Sequence, residues 1–585
     1  MLVGGIATFA LIPEHGETPS VAPPAHVVIT TTTTHPRPID HRNAIQRENA
    51  RPGTTSWHIR PLTIFGPSAY ADHVSAQHGD EVTLYVTSVM PTFSVEAYRM
   101  GWYQDTGARL VWRSPPQRAR TQPDGRLLAE TRTFTTHWTP SLHLTVPASW
   151  QPGDYLLKVS DANGDTYVPL TVRDDRSHAP VLVVNAVTTW QAYNDYGGYS
   201  LYHGPGLNAR TRSTVVTFDR PYSRDGAGDF IANELGLVAL AERMGLDVTY
   251  TTDIDLHEHP ELLTNHKVII SLGHDEYWSK TMRDGVEAAR DKGVNVMFLG
   301  ANALYRRIRL DPSPIGPDRL EVNYRTVAGD TYYQLTKQEP TTEWRSPPQA
   351  RPESSLTGTF YECNPVNVDG VVADASSWVF AGTGLHNGDH LKLLIGTEYD
   401  RVTPGVPTPP DIEVLLHSPL RCAGRRSFAD AAYYTAPSGA GVFDAGTGAW
   451  VCKLFSGCPA DQPFRPDPIV QRITENLLRV FAAGPVGRTH PSTDNLASLG
   501  RLQYSFGDSS SSGADSGSTR RSRGSSGGSS GSPAPTAPPE GAPVTAPPSP
   551  EPTSPPTTPE TTPPTPPTKP SPPPPTPPAT AGKSG

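Results

Sequence analysis

Polar and apolar residues alternate in short stretches over residues 57–172 of the chain. Alternation with a period of two is the pattern of a strand that is buried on one face only. Turn-forming Gly, Pro and Asp residues separate the stretches, and no helical periodicity intervenes. We therefore expect an immunoglobulin-like β-sandwich over residues 56–175. The clearest predicted strands are 81–86, 94–100, 141–146 and 155–159.

Beyond the predicted sandwich the apolar residues form continuous runs, with segments of helical periodicity between them. Continuous apolar runs are typical of strands that are buried on both faces. Residues 279–292 predict a helix, because Met282, Val286 and Ala289 share one of its faces. Alternating strands and helices predict a doubly wound, mostly parallel α/β domain over residues 176–485. Its strands are predicted at 181–184, 248–250, 268–270, 294–299 and 391–395.

The two ends of the chain have compositions that do not support a packed core. Residues 486–585 are rich in Ser and Gly and then in Pro and Thr. Because such a segment has too little apolar surface to offset the entropy of ordering, we predict a disordered tail. Residues 1–55 combine an apolar start with a Pro/Thr-rich linker. The apolar start is shorter than a membrane span and lacks a basic region, so we interpret it as an incomplete or atypical signal sequence.

Charge and cysteine content narrow the class of protein. The 585-residue chain has a net charge of −9, and the absence of a basic stripe interleaved with aromatics argues against a nucleic-acid partner. The even number of cysteines favours two disulfides in one of three connectivities, and four reduced core thiols are the alternative. Disulfides favour an extracytoplasmic protein, secreted or associated with the cell wall. The cysteines are Cys363, Cys422, Cys452 and Cys458.

Candidate chemistry lies where the predicted parallel strands end, because ligands of open α/β sheets bind beyond the carboxyl ends of the strands. Polar stretches follow four of the strands, at 190–194, 273–277, 300–303 and 396–400. The densest contains His274 and Glu276, an imidazole and a carboxylate that can serve as proton carrier and metal ligand. A strand-end turn capped by polar side chains is the alternative. Outside the Ser/Gly-rich tail the chain has no GxSxG elbow, and it has no HExxH, Walker or strand-linked GxGxxG motif, which argues against serine hydrolases, zincins and nucleotide-dependent enzymes.

Several of these stretches, taken together, resemble the large (beta) subunit of N,N-dimethylformamidase and its actinobacterial relatives. The most specific stretch is GHDEYWS at 273–279, followed by GANA at 300–303. Supporting stretches are YRMGWY at 98–103, TWQAYN at 189–194 and APSGAGVF at 436–443. The resemblance covers residues 60–485, which include both predicted domains.

The resemblance implies a β-sandwich packed on an α/β domain, and a mononuclear Fe(III) held by two tyrosinates and one glutamate. By position it implies Glu276 as the carboxylate ligand, and Tyr193 and Tyr155 as the tyrosinates. A hard ferric ion suits such oxygen ligands, and its charge lowers the pKa of a tyrosine. For Tyr155, an ordinary core or corner tyrosine of the sandwich is the alternative interpretation.

The resemblance also implies catalytic and substrate-binding residues around this metal. Asn302 would orient substrate or water, and Glu398 would act as a general base. Arg325 stands where the family usually has a lysine, and arginine stays protonated, so it is unsuited to proton transfer. The predicted catalytic residues are His274, Glu276, Asn302 and Glu398, and the predicted substrate-binding residues are Trp190, Tyr277, Arg325 and Phe443.

We therefore expect an exported, iron-dependent hydrolase of an amide or related C–N bond, an amidohydrolase acting on a linear amide. The alternative is a non-catalytic exported surface protein that binds carbohydrate or peptide through the same α/β fold. A glutamine-amidotransferase-like scaffold without its chemistry is a third interpretation, since no cysteine lies near residues 270–305. The expected partners are a small-molecule or cell-surface substrate and no nucleic acid. A homo-oligomer and a small partner subunit are both compatible with the resemblance.

Overall fold

Strands are the commonest regular element of the computed structural model, which describes residues 41–60, 65–455 and 466–499. Of the described residues, about 33% lie in strands and about 23% in helices, so the protein is β-rich. The first twelve strands are β1 (Ser68–Ala71), β2 (Ser75–Ala76), β3 (Glu81–Thr87), β4 (Thr92–Met100), β5 (Ala108–Arg113), β6 (Gln117–Arg118), β7 (Arg126–Leu128), β8 (Thr133–Thr135), β9 (Leu142–Thr145), β10 (Gly153–Ser160), β11 (Asp165–Val172) and β12 (Val181–Asn185). The remainder are β13 (Val215–Thr217), β14 (Val248–Thr252), β15 (Val268–Gly273), β16 (Tyr277–Ser279), β17 (Asn295–Gly300), β18 (Arg306–Asp311), β19 (Leu320–Val322), β20 (Phe360–Val371), β21 (His390–Arg401), β22 (Glu413–Cys422), β23 (Arg425–Thr435) and β24 (Gly441–Asp444).

The helices are short, with two exceptions that pack on the largest sheet. The α-helices are α1 (Ala44–Asn49), α2 (Val187–Tyr193), α3 (Gly228–Asn233), α4 (Leu235–Arg243), α5 (Asp253–Glu258), α6 (Lys280–Asp291), α7 (Thr331–Thr336), α8 (Ser354–Thr357), α9 (Pro468–Phe481) and α10 (Leu496–Leu499). Single-turn and longer 3-10 segments lie at Tyr103–Asp105, Tyr196–Gly198, Pro205–Leu207, Ala209–Thr211, Pro260–Asn265, Trp378–Phe380, Val451–Lys453 and Val486–Arg488. In the described part of the chain, no helix combines the length and apolar character needed to cross a bilayer.

Two sheets in the N-terminal part share one hydrophobic core. Strands β1, β3 and β9 form an antiparallel sheet, and β2, β11, β10, β4 and β5 follow one another in a second sheet, with β6 on β4. Alternate residues of β3, such as Val82 and Leu84, face the same core as Val95 of β4 and Leu157 of β10. The strands predicted from alternating polarity are present, because one face of each sheet packs inward.

The largest sheet has seven strands in the order β14-β12-β15-β17-β24-β23-β22. Strands β14, β12, β15, β17 and β24 are parallel to one another. Strands β23 and β22 extend the sheet as antiparallel strands. Val181 and Val183 of β12 lie in one core cluster, and Leu182 and Val184 lie in another, so both faces are buried. Helices α4 and α9 pack on the first face and α6 packs on the second. This explains the continuous apolar runs of these strands.

The predicted fold class, an α/β doubly wound mostly parallel sheet domain preceded by an immunoglobulin-like β-sandwich, is wrong. The described residues form a β-rich protein with many small sheets and no clear doubly wound parallel domain. The predicted strand at 391–395 belongs to β21, which pairs with β20 in a separate antiparallel sheet. Strands β13, β19, β18 and β16 form another small sheet beside the turn that follows β15. Apolar periodicity identifies a strand, but it does not specify the strand that pairs with it.

Two of the four cysteines form a disulfide, and most of the predicted terminal segments lie outside the described residues. A disulfide joins Cys363 and Cys422, which confirms one of the two predicted bridges. Cys452 is buried, and Cys458 lies outside the described residues. Helix α1 lies inside the predicted linker and packs against α4 through Ile45. The predicted signal sequence and most of the predicted disordered tail lie outside the described residues, and the domain boundaries stay a prediction.

Candidate functional site

The turn after β15 requires glycine at two paired positions. Gly273 has a φ of 55°, in the left-handed region, and it pairs with Gly300 of the parallel strand β17. A Cβ atom at Gly300 would overlap the carbonyl oxygen of Gly273. Because both residues lack side chains, the chain turns sharply at the carboxyl end of β15 and delivers residues 274–276 to the sheet edge.

Substituting Gly273 by alanine is expected to lower the free energy of unfolding by about 2 kcal/mol or more, since positive φ and steric overlap both oppose the new methyl group. The added Cβ would overlap the carbonyl oxygen of Asn233. Gly198→Ala is the matched control, because Gly198 has a φ of 84° with no atom within 4 Å of a Cβ. Urea denaturation followed by tryptophan fluorescence measures both variants. Equal losses for the two would show that overlap at Gly273 costs nothing.

Asp275 holds the turn in place. Its carboxylate accepts hydrogen bonds from the Ser271 hydroxyl and from the Trp278 indole, each at 2.7 Å. Burial raises the pKa of the Asp275 carboxyl to about 6, although both hydrogen bonds lower it. The middle residue of the His274-Asp275-Glu276 triplet is therefore a structural anchor, and its two neighbours point to other partners.

One carboxylate oxygen of Glu276 accepts hydrogen bonds from the hydroxyl groups of two tyrosines. The Tyr193 hydroxyl donates to Glu276 Oε2 at 2.9 Å, and the Tyr202 hydroxyl donates to the same atom at 2.5 Å. Tyr193 ends α2, and Thr189 in the same helix accepts the backbone N–H of Glu276 at 2.9 Å. Helix α2 therefore fixes both the first tyrosine and the backbone of the carboxylate.

The two tyrosine rings form a stack beside Glu276. Their centroids are 4.2 Å apart with an interplanar angle of 28°. Burial and the charge of Glu276 raise the pKa of both hydroxyls well above that of a free tyrosine. The Glu276 side chain is only 2% exposed, whereas Tyr193 keeps 36% of its surface exposed. The stack therefore connects a buried carboxylate to solvent.

His274 and Glu398 form a second pair at the same edge. His274 Nε2 lies 3.2 Å from Glu398 Oε2 and 3.7 Å from Glu276 Oε2. Burial lowers the pKa of the imidazole, but the carboxylates of Glu398 and Glu276 raise it to about 9. Burial raises the pKa of Glu398, and the adjacent His274 charge more than offsets this, so the pKa lies below its ordinary value. An ion pair at this distance from Glu276 can exchange a proton with a bound molecule.

Two amides complete the surroundings of Glu398. Asn364 Nδ2 donates to Glu398 Oε1 at 2.9 Å. Asn302, which has a φ of 60°, interacts with Glu398 through its side chain and donates its backbone N–H to Asp400 at 2.9 Å. The buried Oδ1 of Asn302 has no protein hydrogen-bond partner among the described residues, so it can accept a bond from a ligand or water.

Arginines line the other side of the tyrosine stack. Arg306 Nε lies 3.4 Å from Glu276 Oε1. Arg325 donates to the Tyr277 hydroxyl at 3.1 Å, and its guanidinium carbon lies 4.4 Å from the centroid of the Tyr202 ring. The candidate site thus has a carboxylate–imidazole side and a guanidinium side, with the tyrosines and Glu276 between them.

The structure brings seven of the ten predicted site residues together and places three elsewhere. Those at the cluster are Tyr193, His274, Glu276, Tyr277, Arg325 and Glu398, with Asn302 beside Glu398. Trp190 donates to Glu234 at 2.9 Å and packs against Phe230. Phe443 lies in the core of the seven-stranded sheet against Trp450.

Tyr155 lies in the core of the two N-terminal sheets. Its hydroxyl donates to the Gln151 carbonyl at 2.7 Å, and its ring stacks on Trp150 at a centroid distance of 4.8 Å. Burial raises the pKa of this hydroxyl far above its ordinary value. These contacts match the alternative interpretation of an ordinary core tyrosine, and Tyr202 stands beside Glu276 instead.

Tyr202 and Arg306 belong to the cluster, and the sequence did not identify them. Tyr202 lies in an irregular Gly- and Tyr-rich stretch between two 3-10 helices, where no periodicity assigns a direction to a side chain. Arg306 opens β18, a strand that was not predicted. The concentration of tyrosines near residues 193–202 was the available indication, and it was too general to select one of them.

The oxygen atoms around Glu276 are suited to a hard cation. Two phenol oxygens lie within hydrogen-bond distance of the same carboxylate oxygen, and phenol and carboxylate oxygens are ligands that a hard cation prefers. In the described residues, no group of three or more His, Cys, Asp or Glu side chains is arranged to hold a metal. A metal at this position would therefore depend on the tyrosines for its ligands.

Comparison with known proteins gives the same family as the sequence stretches. A family model described as N,N-dimethylformamidase beta subunit-like, C-terminal, matches residues 94–460. The N,N-dimethylformamidase beta subunit of Alcaligenes sp is 22% identical over 438 residues, and that of Paracoccus aminophilus is 22% identical over 434 residues. Each alignment covers 59% of this chain and 54% of the relative, so the chain spans about half the length of these curated relatives.

Proposed function

The chain belongs to the N,N-dimethylformamidase beta subunit-like family, and we propose that it hydrolyses an amide or a related C–N bond at the cluster around Glu276. The observation that carries the proposal is the convergence of two tyrosine hydroxyls on Glu276 Oε2, with His274 at 3.7 Å from the same atom. Such a site combines ligands for a cation with a proton carrier, and metal-assisted hydrolysis of an amide uses both.

We further propose that Tyr193, Tyr202 and Glu276 hold a ferric ion. The all-oxygen donor set and its close spacing support this assignment, because hard cations prefer oxygen ligands. When bound, the ion would act as a Lewis acid on the amide carbonyl or on water. The raised pKa of the two tyrosines is no obstacle, since a bound cation favours the phenolate form.

The remaining residues have roles that follow from their contacts. His274 Nε2, held at 3.2 Å by Glu398, would carry the proton that the leaving amine needs. Asn302 Oδ1, a buried acceptor next to Glu398, would orient the substrate or a water molecule. Arg325 would restrain Tyr202 and Tyr277, because it contacts both side chains.

The proposal is tested with the purified full chain. Metal analysis should give about one iron per chain with a visible tyrosinate-to-iron absorption band. Amine release from a panel of linear amides then measures hydrolysis. An iron-free, colourless and correctly folded chain that releases no amine would overturn both proposals. It would favour the non-catalytic alternative, in which the same fold binds a carbohydrate or peptide.

Tyr202→Phe and Tyr155→Phe separate the two candidates for the second tyrosinate. We expect Tyr202→Phe to weaken iron binding by about 100-fold and to shift or remove the visible band, because the phenylalanine has no ligand oxygen. Tyr155→Phe should keep the band, since its hydroxyl donates to the Gln151 carbonyl in the core and not to Glu276. Iron titration followed by absorbance measures both. Loss of the band in Tyr155→Phe alone would contradict this assignment.

We also propose that the protein acts outside the cytoplasm. The Cys363–Cys422 disulfide supports this, because such bonds persist in oxidising compartments. Fractionation of producing cells, with thiol alkylation of each fraction, locates the chain and reports the state of this pair. Recovery only from the cytoplasm, with both cysteines alkylated, would overturn the proposal. The relatives are named as beta subunits, so a partner subunit or a homo-oligomer belongs to the same proposal and is tested by native mass measurement.

A further inference from the structure

Three arginines lie at the same end of the small sheet formed by β13, β19, β18 and β16, beside the tyrosine stack. In this sheet Val322 of β19 lies opposite both Val215 of β13 and Arg309 of β18. The backbone N–H of Asn323 donates to the Thr214 carbonyl at 2.9 Å, so the pairing continues beyond the strands. The residues that follow at this end are Arg212 before β13, Arg325 after β19 and Arg306 at the start of β18.

The same end of the sheet leads directly to the proposed catalytic cluster. Strand β16 completes the sheet, and its Tyr277 lies opposite Arg306 and directly follows Glu276. Arg325 contacts the rings or hydroxyls of Tyr202 and Tyr277, and Arg306 Nε lies 3.4 Å from Glu276 Oε1. The guanidinium groups of Arg306 and Arg325 are therefore adjacent to the proposed metal ligands.

Grouping these positive charges has an energetic cost, which Glu276 and Glu343 offset at Arg306. Burial and the charges of Arg325 and Arg306 lower the pKa of Arg212. Arg212 Nε is buried without a hydrogen-bond partner, while Arg212 Nη1 donates to the Ala209 carbonyl at 3.1 Å. Arg325 also has a φ of 61°, which is disfavoured for a long side chain. Strain and like-charge repulsion in one place are typical of a site that an anion stabilises.

We propose that Arg212, Arg306 and Arg325 form an anion subsite that binds a carboxylate group carried by the amide substrate. Planar guanidinium groups match the two oxygens of a carboxylate, and lysine would not offer the same paired geometry. The inference rests on the proposed hydrolysis, which places the scissile amide at Glu276. The substrate class is then an acylated amino acid or another amide with an acidic group near the cleaved bond.

A matched pair of small amides tests this subsite on the full chain loaded with iron. N-acetylglycine carries a carboxylate, and N-ethylacetamide is a neutral amide of similar size. Titration calorimetry should show that N-acetylglycine binds about tenfold or more tightly, as expected for hydrogen bonds to a charged group. Equal affinity for the two amides would overturn the carboxylate assignment.

Substitutions of single arginines test whether Arg212 causes the preference for N-acetylglycine. Arg212→Gln should reduce the affinity ratio of the two amides to near unity, whereas Arg210→Gln, an exposed arginine in the same segment, should preserve it. If Arg212→Gln does not fold, Arg212→Lys replaces it and should reduce the ratio in part, because the charge remains without the planar group. An unchanged ratio in a folded Arg212 variant would refute the subsite.

The outcome is separable from that of the proposed function. Selective binding of N-acetylglycine without amine release from any amide would support the subsite and count against hydrolysis. Amine release from neutral and acidic amides at equal rates, with equal affinities, would support hydrolysis and refute the subsite.

Discussion

Glu276→Gln is expected to remove iron binding and amide hydrolysis together. Glutamine keeps the size of the side chain but has no negative charge. Both tyrosine hydroxyls donate to the same carboxylate oxygen, Oε2 of Glu276. We expect iron affinity to fall by about 100-fold or more, since even outer partners of a ligand contribute about 10- to 100-fold. Hydrolysis should fall by about 1,000-fold, which is the scale of losing one electrostatic stabiliser of a transition state. Iron content and amine release measure the two effects.

Glu343→Gln is the matched control for this substitution. Glu343 lies 3.1 Å from Arg306 and Glu276 lies 3.4 Å from it, but among the described residues the side chain of Glu343 accepts hydrogen bonds from Arg306 and Ser346 and not from the tyrosine stack. Its substitution changes the charge near Arg306 and leaves Tyr193, Tyr202 and Glu276 in place. We therefore expect the iron content and the visible band to persist. A Glu276→Gln chain that binds iron as strongly as the unchanged chain would remove Glu276 from the ligand set.

Glu242→Ala is expected to lower the free energy of unfolding by about 3–5 kcal/mol, the usual cost of leaving a buried charge without its partner. Glu242 in α4 and Arg99 in β4 are 2.6 Å apart, and both side chains are 0% exposed. Glu242 also accepts the Tyr250 hydroxyl and the Asn49 amide, each at 2.8 Å. The substitution therefore breaks a polar junction among the N-terminal sheets, α1 and the seven-stranded sheet.

An exposed ion pair with the same N–O distance serves as the comparison for the buried pair of Glu242 and Arg99. Arg113 and Glu96 are also 2.6 Å apart, but Arg113 is 63% exposed. Because water screens such a pair, Arg113→Ala should cost about 1 kcal/mol or less. Urea denaturation measures both variants, and the double variant Arg99→Leu/Glu242→Leu should recover part of the loss. Similar costs at the buried and the exposed pair would contradict the explanation by burial.

Local elements followed from local periodicity. The predicted helix at 279–292 corresponds to α6, whose cap is the Ser279 hydroxyl accepting the Met282 N–H. Strands β3, β12, β15 and β17 also lie where their apolar residues predicted them. The spacing of side chains along one element decides which face is buried, so this information is present in a short stretch of sequence.

Strand partners did not follow from the same information. Residues 391–395 have the apolar character of a sheet strand, but they pair with β20 and not with the parallel strands. Glu398 nevertheless reaches His274, from a different sheet than the one predicted. The fold class was wrong for this reason, because pairing depends on chain segments that are far apart in sequence.

The sequence by itself determined the family and the turn that carries His274 and Glu276. The turn could be located because glycine, a capped helix and the end of a buried strand are local features. Only the tertiary structure decided which groups meet at that turn. It placed Tyr155 in the core of the N-terminal sheets and Tyr202 beside Glu276, and it brought Arg212, Arg306 and Arg325 to one end of a sheet. The physical reason is that contacts between distant segments are set by packing and pairing of the whole fold, and no periodicity within one segment encodes them.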